Sequence, residues 1–185
     1  MHPAPSIILF TVLSGFGFGL ISILGLLQFL NAISVFDLII FSVSGVVFST
    51  VGLMSSFFHL ANKINAIKSL SQWQTSWLSR EAIASIFCLL LVLGNIGWGF
   101  FQNMYIKEVG LVLFFLALFT IFTTSMIYAQ LKTVPSWNNI LTPAIFIFAA
   151  LTGGSILLTN YACLVILLVF GFLQILFWYI ADKGF

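Results

Sequence analysis

Charge is what this sequence has least of. Lys, Arg, Asp and Glu together make up 5% of the 185 residues, against about 25% in a soluble domain. So few cannot coat a water-exposed globule of this size, and the mean hydropathy of +1.22 points the same way. Cysteine is nearly absent as well. Cys88 and Cys163 both fall inside apolar runs with no CxxC or Cys/His spacing, so they read as small buried hydrophobes rather than metal ligands or a disulfide. Histidine is confined to His2, at the terminus, and His59, the one placed on an apolar run; paired axial haem ligation would need two on spans and Ser/His/Asp catalysis has little support, so no haem or metal is expected in this chain. The net charge of +2 comes with no basic stripe, which argues against nucleic acid as a partner. The opening MHPAPS lacks the cationic region of a cleavable signal peptide, so the first apolar run is expected to be retained.

What the chain does have is length without polarity. Apolar runs at 6–30, 35–61, 82–102, 109–131, 141–159 and 161–181 approach or exceed the roughly 20 residues that cross a hydrocarbon core. They predict an all-α, polytopic integral membrane helix bundle of about six transmembrane helices, forming a single membrane-anchor domain over 1–185. Barrel strands would alternate apolar and polar residues, and a stretch such as 111–123 does not. Apart from 62–81 the connectors are short, so consecutive helices should be antiparallel neighbours. The last two runs are the weakest pair, because Gly153 and Gly154 soften the first and the turn between them is tight.

Orientation follows from the cations. Lys63, Lys68, Arg80, Lys132 and Lys183 share one side and Lys107 stands alone on the other, so the 62–81 segment and both termini are predicted to be cytoplasmic. Trp73, Trp77, Trp98 and Trp137 lie near run ends, where amphipathic rings prefer the headgroup level. The i,i+4 spacing of Trp73 and Trp77 suits a short amphipathic helix lying in the interface with its indoles toward lipid. In SGFGFGL, Gly15 and Gly19 have the spacing that lets helix backbones approach closely. A glycine-rich phosphate loop would instead follow a strand, which this context excludes.

One pair of residues raises a chemical question. His59 closes the second run and Glu81 opens the third, so both belong at the same membrane surface. On one reading they are end effects, with His59 finishing a helix and Glu81, after Ser79, complementing a helix dipole. On the other they form a quinone-headgroup site, since oxidation of a quinol releases protons that an imidazole and a carboxylate can take up. Asp37, Glu81, Glu108 and Asp182 all sit near run ends, and the spans offer only scattered Ser, Thr, Asn and Gln. A small membrane transporter, which would need a polar path, is therefore the rival function, together with a purely structural anchor lacking a quinone site.

The blocks MHPAPSIILFTVLSGFGFGL, SSFFHL, TSWLSREAI and MIYAQLKTVPSWNNILTP occur in this order through about residue 145. In them the chain resembles the dimethyl sulfoxide reductase membrane anchor subunit family, DmsC-type. The resemblance implies a multi-pass anchor in the bacterial inner membrane, serving anaerobic electron transport within an oxidoreductase complex. Its implied partners are membrane lipid, a ferredoxin-like iron–sulfur subunit with four 4Fe-4S clusters, and a molybdopterin catalytic subunit holding molybdopterin guanine dinucleotide. The anchor itself performs no molybdenum chemistry and uses menaquinone or ubiquinone as an exchangeable substrate. The family's menaquinol-binding histidine and glutamate correspond to His59 and Glu81. Arg80 and Tyr128 match the same blocks and are assigned anchoring and hydrogen bonding, with Trp77 a further candidate for the quinone site. Typical members have eight spans, so a six-span chain implies a short form or a truncated product. The cation bias places the quinone side in the cytoplasm, which resembles the anchors of cytoplasm-facing quinone-dependent sulfite dehydrogenases, where electrons flow from sulfite into quinone.

Overall fold

A computed structural model describes residues 5–56, 70–134, 136–158 and 161–183. Hydrocarbon offers no hydrogen-bond partner to a backbone, so apolar runs of this length satisfy their own peptide groups as helices. Among the described residues six α-helices result: α1 Pro5–Phe29, α2 Val35–Ser56, α3 Trp77–Gln102, α4 Lys107–Ala129, α5 Thr142–Ile156 and α6 Tyr161–Lys183. A 3-10 turn, Leu70–Gln72, precedes α3. Five of these helices are long and apolar enough to cross a membrane. The exception is α5, whose 15 residues rise only about 22 Å, short of a hydrocarbon core of about 30 Å.

The helix ends are written locally. Asn31 adopts a left-handed φ of 53°, and the Ala32 N–H donates back to the Leu27 carbonyl at 2.8 Å, closing α1. Ser34 then opens α2: its hydroxyl accepts from the Asp37 N–H at 3.1 Å and donates to Asp37 Oδ2 at 2.8 Å. Asn103, with φ 51°, ends α3. At the start of α3 the Ser76 Oγ accepts from the Ser79 N–H, so the helix begins at Trp77 rather than at residue 82.

The two tryptophans that suggested an interfacial helix behave differently from that expectation. Trp73 sits in the turn after the 3-10 segment and Trp77 is the first residue of α3. The Ser76 cap interrupts the i,i+4 register between them.

The centre of the bundle is α1, which packs against α2, α4 and α5. Small residues permit the close approach. A Cβ on Gly19 would run into the Ala150 carbonyl of α5, whereas Gly15 makes only ordinary contact with the Ala150 side chain. Contacts of Gly17 with Gly45 and Ser49, and of Ser14 with Gly52, make α1 and α2 antiparallel. Leu20 beside Gly154 and Gly15 beside Ala150 make α1 and α5 parallel. One end of the bundle therefore gathers the start of α1, the end of α2, the start of α3, the end of α4 and the start of α5.

Phe18, Ile21, Cys88, Val92, Leu113, Ala117 and Ile121 form the main core. Cys88 is buried there as expected, while Cys163 lies half-buried on α6. Near the opposite end, Gln28 and Asn95 face each other in the interior. Asn95 Nδ2 donates to Gln28 Oε1 at 2.9 Å, and Gln28 Nε2 donates to Asn95 Oδ1 at 3.2 Å and to the Ile106 carbonyl at 2.8 Å. The outermost helix, α6, packs against α5, and none of its residues between Cys163 and Ala181 is buried.

Candidate functional site

Because α3 starts at Trp77, Glu81 falls in its second turn, and the first turn contains no acidic residue. The carboxylate is consequently not a dipole partner at an exposed helix start. It is 3% exposed and turned into the bundle, where Thr124 of α4 donates its hydroxyl to Glu81 Oε1 at 2.5 Å. The same hydroxyl lies 3.1 Å from the Thr120 carbonyl one turn away. A carboxylate held by a hydroxyl across two helices is a specific arrangement in an apolar protein, since a buried charge or polar group is costly unless paired.

Ser85 follows Glu81 by one turn on the same face of α3. It is fully buried, and its hydroxyl has no hydrogen-bond partner among the described residues. Tyr128 lies one turn beyond Thr124 on α4. Its ring packs at 5.2 Å centroid distance edge-on against Trp137 and, tilted, at the same distance against Phe146 of α5.

Thr124 and Phe146 both line a cavity of about 300 Å³ between α1, α4 and α5. Ser14, Phe18, Ile121 and Ala150 contribute to its wall, which is apolar apart from a few hydroxyls. Its volume is at the lower end of the ~300–1,000 Å³ usual for small-molecule sites. Thr124 thus joins the buried carboxylate on one side to the cavity on the other.

The structure divides the residues expected at the site. Glu81 faces the interior, and Tyr128 lies one turn beyond its partner Thr124 on α4, packed on Trp137 and Phe146. Arg80 and Trp77 line a separate groove on the outer side of α3 and α4. His59 lies outside the described residues. It follows Ser56, the last described residue of α2, by three positions, and the end of α2 is tied to the start of α1 by the Ser55 hydroxyl donating to the Ser6 carbonyl at 3.2 Å. Thr124 and Ser85 were not singled out from the sequence. The signal that could have found Thr124 was the polar cluster Thr120, Thr123, Thr124 and Ser125 in an otherwise apolar helix. Among the described residues no group of three His, Cys, Asp or Glu side chains is placed to hold a metal ion.

The DMSO reductase anchor subunit (DmsC) family matches residues 1–180 of this chain. The C subunit of sulfite dehydrogenase from Allochromatium vinosum is 32% identical over 181 residues, covering 88% of this chain and 56% of that protein. The chain thus spans just over half the length of the curated relative it matches. No solved structure matches it.

Proposed function

This chain belongs to the DMSO reductase anchor subunit family, a multi-pass integral membrane protein, and from that premise we propose that it exchanges electrons between a membrane quinone and an iron–sulfur partner at a site built around Glu81. The partner would hold the 4Fe-4S clusters and a further subunit the molybdopterin centre, so that this chain anchors the assembly and serves the quinone. The observation that carries the reading is the burial of Glu81 in the second turn of α3 against Thr124, a residue that also forms the wall of a cavity.

Quinol oxidation breaks two O–H bonds and releases two electrons, which the partner's clusters would accept one at a time, and two protons, which need acceptors in the protein. Glu81 is assigned one of these protons, by way of Thr124. When the carboxylate is ionised it accepts from the Thr124 hydroxyl. Once protonated it can donate to Thr124 Oγ1, whose own hydrogen then turns to the Thr120 carbonyl. Neither change needs a heavy atom to move. His59, a group with an ordinary pKa near 6.5, is assigned the second proton and the exchange with solvent. Quinone reduction runs the same steps backward, so one site serves a reductase or a sulfite-oxidising complex. Tyr128 is assigned a hydrogen bond to the headgroup.

His59→Phe and Glu81→Gln test the reading within the assembled complex. Activity with a soluble artificial electron mediator, which bypasses the quinone, should persist. Quinone-linked turnover should fall by ~10²–10⁴-fold, the range for losing a general acid or base. Full quinone-linked turnover in both variants would reduce the pair to structural roles.

A further inference from the structure

The groove on the outer side of α3 and α4 is unlike the cavity at Thr124. It measures about 670 Å³ and is walled by Phe87, Phe119 and Phe122, with Trp73, Trp77 and Arg80 at one end. Arg80 there is fixed in place. Its Nε donates to the Trp73 carbonyl at 2.8 Å and its Nη2 to the Gln74 carbonyl at 2.7 Å. Its guanidinium carbon sits 4.3 Å above the centre of the Trp77 ring. Two of the five N–H donors of the guanidinium are used in this way, and the remainder have no partner among the described residues.

The charge is also uncompensated among the described side chains. Asp37 and Glu108 lie in the first turns of α2 and α4, at the opposite end of the bundle, and Glu81 is turned inward to Thr124. A held guanidinium with open donors suits a phosphate, which accepts several charge-assisted hydrogen bonds. Below it, Phe87 is seven residues along α3, about 10 Å deeper at 1.5 Å per residue. A ligand that fits must therefore combine an anionic head at the interface with a hydrocarbon tail running into the membrane.

The geometry points to a binding site for an anionic phospholipid, its phosphate on Arg80 beside Trp73 and Trp77 and one acyl chain along the phenylalanine-lined groove. A lipid so held would fix the turn that leads into α3.

The full chain, purified in a neutral detergent, can be titrated with phosphatidylglycerol and phosphatidylcholine of identical acyl chains, with bound lipid read by native mass spectrometry. Both lipids carry the phosphate that meets Arg80, but the ammonium of choline is repelled by the guanidinium beside it, so phosphatidylglycerol should bind about tenfold more tightly. Arg80→Gln should abolish that preference, weakening phosphatidylglycerol more than phosphatidylcholine. Ile83→Trp, which keeps the guanidinium and fills the apolar part of the groove, should weaken both lipids. Glycerol phosphate, which lacks a tail, should not compete. Equal binding of the two lipids by the unaltered chain, or a preference that survives Arg80→Gln, overturns the proposal. If Arg80→Gln does not fold, undiminished phosphatidylglycerol affinity in Ile83→Trp overturns it instead. Displacement of bound phosphatidylglycerol by an equimolar quinone analogue would also overturn it, in favour of a quinone groove.

Discussion

Thr124 of α4 holds Glu81 of α3 from across the helix pair, and its hydroxyl is within reach of both the carboxylate and the Thr120 carbonyl. Removing that hydroxyl while keeping the side-chain shape should therefore isolate its contribution. Thr124→Val is expected to lower quinone-linked turnover by about ten- to a hundredfold, matching the loss of a hydrogen bond to a charged group. Mediator-linked turnover should be unchanged. Thr124→Ser, which restores the hydroxyl, should recover most of the rate. Equal rates in the Val and Ser variants would show that the hydroxyl does not take part.

The sequence made the helices legible and the interior less so. Six apolar runs mark the six helices because length and hydropathy suffice to specify an apolar helix, although the run at 141–159 yields one too short to cross. The position of Glu81 within α3 depends on Ser76, a single capping residue five positions upstream whose effect an apolar run does not register. The pairing with Thr124 was hidden for another reason. Threonine is an ordinary resident of membrane helices, and its partner is 43 residues away in sequence, so only packing reveals the contact. Gly15 and Gly19 matched the close-packing spacing equally well, yet only Gly19 meets a neighbouring backbone, because α5 approaches α1 at an angle of rotation that the spacing does not contain.

The Gln28–Asn95 pair offers a test of packing at the other end of the bundle. Gln28→Leu leaves the Asn95 amide without its partner and takes one donor from the Ile106 carbonyl, which keeps the Val109 N–H at 3.1 Å, and should cost on the order of 1–2 kcal/mol in detergent unfolding. The double variant with Asn95→Leu should be more stable than that single variant, since two apolar groups replace a matched polar pair. Strict additivity of the two substitutions would show that the amides do not interact.

Gly19 and Gly97 should respond in opposite ways to the same change. Gly19→Ala pushes a methyl group toward the Ala150 carbonyl and should separate α1 from α5, destabilising the bundle by about 1–3 kcal/mol. Gly97 has nothing within 4 Å of an added Cβ, so Gly97→Ala should be neutral or mildly stabilising through helix propensity, by up to about 1 kcal/mol. Thermal unfolding in detergent distinguishes the pair. A Gly19→Ala variant as stable as the parent would mean that α5 is free to shift.

Reporter fusions test the orientation read from the cations. The end of α4 lies beside the start of α3 and the start of α1, whereas Lys107 opens α4 at the opposite end. A fusion after Lys132 should report the cytoplasm, and one after Lys107 the far side of the membrane. The reverse pattern would turn the Glu81 end outward and place any docked subunits there.

The central position of α1 has a consequence for biosynthesis. The helix that touches α2, α4 and α5 is the first of the six to leave the ribosome. Its partner α2 follows at once, but α5 begins about 110 residues after α1 ends, which at 5–20 residues per second is a wait of roughly 6–23 s. Through that interval the glycine face that will receive Ala150 is covered by lipid or by the insertion machinery. Assembly of this bundle is thus a matter of keeping a seat open, and a change that lets α1 pair elsewhere in those seconds would lower yield without altering any contact of the finished protein.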